Sequence, residues 1–92
     1  MAVFAVVLNE PNEELMARVK EAFVEPAHFQ LADHIAFVRS PLVSAQVAEK
    51  IGLRKGDNQI EEATGVVLRV ESYSGWNSPA LWEWLSSGED GS

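Results

Sequence analysis

From Ala2 to Leu8 the chain reads Ala, Val, Phe, Ala, Val, Val, Leu, apolar at both alternating sets of positions. A strand of that kind is covered on both faces, so it is predicted to be central in a sheet. Asn9, Glu10 and Pro11 stop it. Between Glu13 and Val24 the pattern changes period: Leu15, Met16, Val19, Ala22 and Phe23 recur at helical spacing, with Glu13 and Glu14 near the positive end of the helix dipole. Glu25 and Pro26 close this helix, because proline disfavours helical backbone at the residue before it.

Two short strands are predicted next, over about 28–31 and 35–39. A three-residue loop of Ala32, Asp33 and His34 would set Leu31 opposite Ile35 and Phe29 opposite Phe37, with His34 in the left-handed region. Ser40 and Pro41 form an N-cap signal, Val43, Val47, Ala48 and Ile51 make one stripe, and Gly52 ends a second helix. A polar connection follows from Leu53 to Thr64, the kind of loop that often carries function. From Gly65 to Tyr73 alternation returns, with Val66, Leu68 and Val70 on one face and Val67, Arg69, Glu71 and Tyr73 on the other. Ser78 and Pro79 cap a last short helix with Leu81, Trp82, Trp84 and Leu85 on one broad side.

Strand, helix, strand, strand, helix, strand and an extra C-terminal helix is the order of an α+β, ferredoxin-like βαββαβ sandwich, a four-stranded antiparallel sheet with strand order 4-1-3-2. One domain over residues 1–87 and a disordered tail over 88–92 are expected. If Phe4, Val6 and Leu8 face the two main helices, the opposite face is expected to carry Val3, Ala5 and Val7, flanked by His28, Gln30, Ala36 and Val38 and by Val67, Arg69, Glu71 and Tyr73. Phe29, Phe37, Val47 and Leu68 are then core positions, each costing about 2–5 kcal/mol on truncation to Ala.

Composition narrows the functional classes. Ninety-two residues suffice for one domain, which at this size buries only about 60–65% of its unfolded surface. Without cysteine there is no disulfide, no thiolate nucleophile and no sulfur-ligated metal. The apolar start lacks the charged flank and length of a signal peptide, and no run approaches the roughly 20 apolar residues of a membrane span, so a cytoplasmic protein is expected. Fourteen acidic against seven basic residues give a net charge of −7, which opposes binding to a phosphate backbone.

The element order together with the tail Tyr73-Ser74-Gly75-Trp76-Asn77-Ser78-Pro79-Ala80-Leu81-Trp82-Glu83-Trp84-Leu85 resembles small bacterial ferredoxin-like proteins related to the CRISPR-associated endoribonucleases and to the antitoxin ribonucleases of type V toxin–antitoxin systems. The likeness spans nearly the whole chain as topology. It implies a metal-binding aspartate near the end of the first strand; this sequence has Asn9 there, followed by Glu10, which makes those two the candidates of a metal-dependent ribonuclease reading.

Other clusters have plain structural explanations. Asp33 and His34 with His28 are the only acid and imidazole grouping, but the hairpin keeps the two rings apart. Glu10, Glu13 and Glu14 suit a hard cation and equally suit a helix start. Lys50, Arg54 and Lys55 form the one basic cluster. No glycine-rich phosphate loop, serine elbow or metal-spaced histidine pair occurs. The expectation is a non-enzymatic interaction or regulatory module without a cofactor, forming a homodimer or binding another protein through Val67, Arg69, Tyr73, Trp76, Trp82 and Trp84. The alternatives are the ribonuclease, with Asn9 and Glu10, and a small-ligand sensor. The charge yields a first prediction: a gel shift at physiological salt and submicromolar protein shows no retained duplex DNA.

Overall fold

The computed structural model describes residues 2–54, 60, 63–72, 75 and 79–89, with side chains up to Ser86. Seven elements follow one another: β1 (Ala2–Leu8), α1 (Glu13–Ala22), β2 (His28–Ala32), β3 (Ile35–Ser40), α2 (Ser44–Lys50), β4 (Gly65–Val70) and α3 (Pro79–Glu89). The four strands form one sheet in the order β2-β3-β1-β4, with every neighbouring pair antiparallel. The domain is α+β. Read from the β4 edge, the strand order is 4-1-3-2, and β1 is central.

Local chemistry fixes the helices. Asn12, in extended backbone, accepts a 3.0 Å hydrogen bond from the Leu15 amide, satisfying one of the free donors at the start of α1. Glu13 and Glu14 occupy its first turn and Lys20 its last, the arrangement that the helix dipole favours. α2 starts later than the Ser40-Pro41 pair predicts. Ser40 ends β3, where its Oγ accepts from the Leu42 amide at 3.0 Å, and the Gln46 side chain accepts from the Val43 amide at 3.2 Å instead. A serine hydroxyl can close a short turn as readily as it caps a helix, and here the turn wins. Gly52, at φ 87°, ends α2 as expected, and the amide of Leu53 donates to Ala48.

The main core lies between one face of the sheet and the first two helices. Phe4, Val6 and Leu8 of β1 meet Leu15, Met16, Val19 and Phe23 of α1 and its end, with Val47 of α2 and Ile51, its C-cap. Ala36 and Val38 are also fully buried there. This corrects the predicted face of β3, and with it those of β2 and β4. Phe4 pairs with Val38 and Val6 with Ala36, and residues directly opposite in an antiparallel pair share a face. On the other side Val6 pairs with Val67, which packs on the same core. His28 and Gln30, paired with Val38 and Ala36, follow them to the helix side, as does Arg69, paired with Phe4. The second face therefore carries Val3, Ala5 and Val7 as expected, but beside Phe29, Phe37 and Arg39 on one flank and Val66, Leu68 and Val70 on the other.

The hairpin pairs Phe29 with Phe37 as predicted, but by a different route. Its loop has two residues, Asp33 and His34. The extra residue is absorbed as an irregularity between Gln30 and Ala32, which places Ala32 rather than Leu31 opposite Ile35. No described residue other than glycine has positive φ, so His34 is not left-handed. A bulge in β2 relieves the backbone at less cost than a left-handed imidazole residue would impose.

Beyond α2, Leu53, Ile60 and Ala63 drop into the core, so the connection is anchored by apolar side chains at intervals. The amide of Ile60 donates to Gly52 at 2.8 Å. A Cβ on Gly65 would stand 2.3 Å from the Val7 carbonyl oxygen, which is why a glycine opens β4 beside β1. α3 runs to Glu89, beyond its predicted end at Leu85 and into the stretch expected as tail; residues 90–92 lie outside the described ones.

Denaturant melts test this packing. Val47→Ala and Phe4→Ala are expected to destabilise by about 2–4 kcal/mol as core truncations. Leu68→Ala, by contrast, is expected to cost under about 1 kcal/mol when melted at high dilution, because Leu68 is 54% exposed in the single chain. Equal losses at Val47 and Leu68 would contradict the observed faces.

Candidate interaction surface

The second sheet face is divided between a covered half and a bare half. α3 covers the β2–β3 half. Its Trp84 ring lies 6.0 Å from Phe29 and 6.4 Å from Phe37, centroid to centroid and tilted by 46° and 43°, within the range of favourable aromatic contacts. Leu81 and Leu85, one turn apart on the helix, are 3% exposed yet stand outside the main core cluster. Two apolar clusters thus sandwich the sheet, a large one under α1 and α2 and a smaller one under α3.

Arg39 fixes the position of α3. Its guanidinium carbon is 3.9 Å from the centroid of the Trp84 ring, and its Nη2 donates to the Trp84 carbonyl oxygen. The indole Nε1 donates to the Pro26 carbonyl at 2.9 Å, and Arg39 Nη1 reaches the same oxygen at 3.5 Å. A charge over a ring is worth more as water is excluded, and the same exclusion lowers the guanidinium pKa from its ordinary value by desolvation. Arg39 Nε is buried without a hydrogen-bond partner, the cost of placing this group beneath the helix.

The β1–β4 half is different. Val66 is 50% and Leu68 54% exposed, next to the half-buried Val3, Ala5 and Val7. The pairs Val7–Val66, Ala5–Leu68 and Val3–Val70 form a continuous apolar strip. Among the predicted interaction residues, Trp84 and the half-buried Trp82 are brought to this side of the sheet by α3. Val67 and Arg69 are on the other side. The Arg69 guanidinium Nε pairs with Glu71 at 3.2 Å in an exposed contact that contributes little stability. Tyr73 and Trp76 lie outside the described residues. The signal missed in the sequence was Arg39, a lone cation within an aromatic strand; Phe29, Phe37 and Trp84 were legible as large apolar residues but not as one cluster.

An open cleft of about 640 Å³ lies on the helix side at the start of β1, lined by Ala2, Phe4, Ser40, Leu42, Ser44 and Arg69 among others. Ser40 there is already engaged by the Leu42 amide, and the described residues lining the cleft include no His, Asp or Glu. Asn9 and Glu10 are exposed just past β1, where the Asn9 amide donates to the Thr64 carbonyl at 2.8 Å. Among the described residues, no three His, Cys, Asp or Glu side chains converge on a point that could hold a metal ion. His28 Nδ1 donates to the Phe23 carbonyl at 2.6 Å while His34 sits in the hairpin loop, at the other end of β2. Of the basic cluster, Lys50 stands 5.2 Å above the Phe23 ring, Arg54 is exposed and Lys55 is outside the described residues. Among the described residues no helix is long and apolar enough to cross a membrane.

No family model, curated protein or solved structure matches the chain.

A double-mutant cycle between Arg39→Ala and Trp84→Ala tests the clamp on α3. The expected coupling is about 0.5–2 kcal/mol, with Trp84→Ala alone costing about 2 kcal/mol or more. Additive losses would show that the two side chains stabilise the fold independently.

Proposed function

We propose that this protein is a non-enzymatic interaction module on a ferredoxin-like frame, which docks a protein partner on the β1–β4 half of its second sheet face. The carrying observation is the exposure of Val66 and Leu68 within a strip that also includes Val3 and Val7, directly beside a half that the same chain covers with an aromatic helix. The ferredoxin-like description is supported by the 4-1-3-2 order with all neighbours antiparallel, and by helices joining β1 to β2 and β3 to β4. α3, with its side chains against β2 and β3, does not hide Val66 and Leu68. A partner that removes them from water gains about 25 cal/mol per Å² of apolar surface, before the costs of association.

The test is a photo-crosslinking amino acid placed at position 68 or 66 and, as a control, at Glu21 on the exposed side of α1. In the native cell, protein adducts are expected from 66 and 68 and not from 21. Absence of adducts from both strand positions would refute the reading.

A further inference from the structure

Resting on that reading, we infer that the partner is a second copy of this chain, joined to the first by antiparallel pairing of β4 with β4 about a two-fold axis through Leu68. The result is one continuous eight-stranded sheet.

β4 is an edge strand, and the hydrogen bonds of β1 show which of its backbone groups are free. The Leu8 amide donates to His34, on the β3 side, and the Asn9 amide donates to Thr64, on the β4 side, both at 2.8 Å. Backbone groups alternate along a strand, so Val3, Ala5 and Val7 are the β1 residues that bond β4, through their partners Val70, Leu68 and Val66. The N–H and C=O groups of Gly65, Val67 and Arg69 consequently point to the open edge, and among the described residues no strand pairs with them. An edge of this kind is a template for an added strand.

Two-fold pairing must match outward groups with outward groups, so the axis passes through a residue and not between two. Centred on Arg69, it would set two guanidinium groups opposite each other, which is unfavourable. An axis through Val70 leaves Leu68 opposite Ser72, and one through Val67 leaves Val70 opposite Thr64. Centred on Leu68, it pairs Val67 with Arg69 of the second copy, Val66 with Val70 and Leu68 with itself. That register runs over 65–71 and joins the two exposed apolar rows into one. Leu68 then occupies a non-hydrogen-bonded position, where opposing side chains are closest.

Charge confines where a second copy can dock. The chain carries −7, and two copies repel over most of their surface. Within the paired stretch 65–71, however, the only charges are Arg69 and Glu71, which lie 3.2 Å apart and sum to zero. A neutral, self-complementary strip is where two acidic chains can meet.

The absence of native cysteine makes the experiment clean. Light scattering behind size exclusion is expected to give twice the 10.1 kDa chain mass at micromolar concentration. Under mild oxidation Leu68→Cys should form a disulfide-linked dimer, whereas Val66→Cys, facing Val70 of the second copy, should not. Arg69→Pro removes an N–H aimed at the open edge and no bond to β1, so it should yield a folded monomer. A dimer that survives Arg69→Pro, or equal cross-linking at 66 and 68, overturns the pairing. A monomer at every concentration overturns the second copy as partner; if residue 68 still photo-crosslinks to other proteins, the interaction reading stands, and if it does not, both fall. The cysteine comparison decides the register even if Arg69→Pro lowers stability.

Discussion

The antiparallel pairing of β1 with both its neighbours is the constraint on which the rest of the structure depends. Because opposing residues share a face, placing Phe4, Val6 and Leu8 under the helices commits Ala36, Val38 and Val67 to the same side. It also commits Phe29, Phe37 and Leu68 to the other. A single-residue slip at either interface would send a full row of side chains across the sheet. The residues this brings beneath α1 and α2 include the small Ala36, where bulk already comes from Phe4, Leu15 and Phe23.

That commitment creates the problem that α3 solves in part. Two phenylalanines and an arginine on the second face need a cover, and Trp84 supplies it by packing at a tilt against the rings, lying under the guanidinium and donating to Pro26. Arg39 serves here as a flat, weakly hydrated cation that can lie on an aromatic face, a role a lysine would fill poorly. The helix spends its aromatic side chain on β2 and β3. The β1–β4 strip is left to the solvent or to a partner, and among the described residues no strand pairs with the outer edge of β4.

Site chemistry follows from the same geometry. The residues that a catalytic reading would use are scattered: Asn9 and Glu10 past the end of β1, His28 engaged by the Phe23 carbonyl, His34 in the hairpin loop. The apolar and aromatic residues, by contrast, are collected on one face. An interaction reading draws on what the fold gathers, whereas chemistry would have to draw on isolated polar positions.

Element order and the main helices were legible in the sequence because each depends on local periodicity and on caps and stops within a few residues: the stripe of Leu15, Met16, Val19 and Phe23, the stop at Gly52, the alternation after Gly65. The central place of β1 was legible from its unbroken apolar run. Which face each remaining strand presents was not, since Val66, Val67 and Leu68 are all apolar and alternation alone does not say which row turns inward. Only the cross-strand partners Val6 and Ala5 decide that. Nor was the Arg39–Trp84 contact legible, because it joins residues 45 positions apart through a helix whose docking no local signal specifies. The sequence by itself determined the elements, whose causes are local; the tertiary structure alone decided the faces, the cover and the bare edge, whose causes lie in pairing between distant strands.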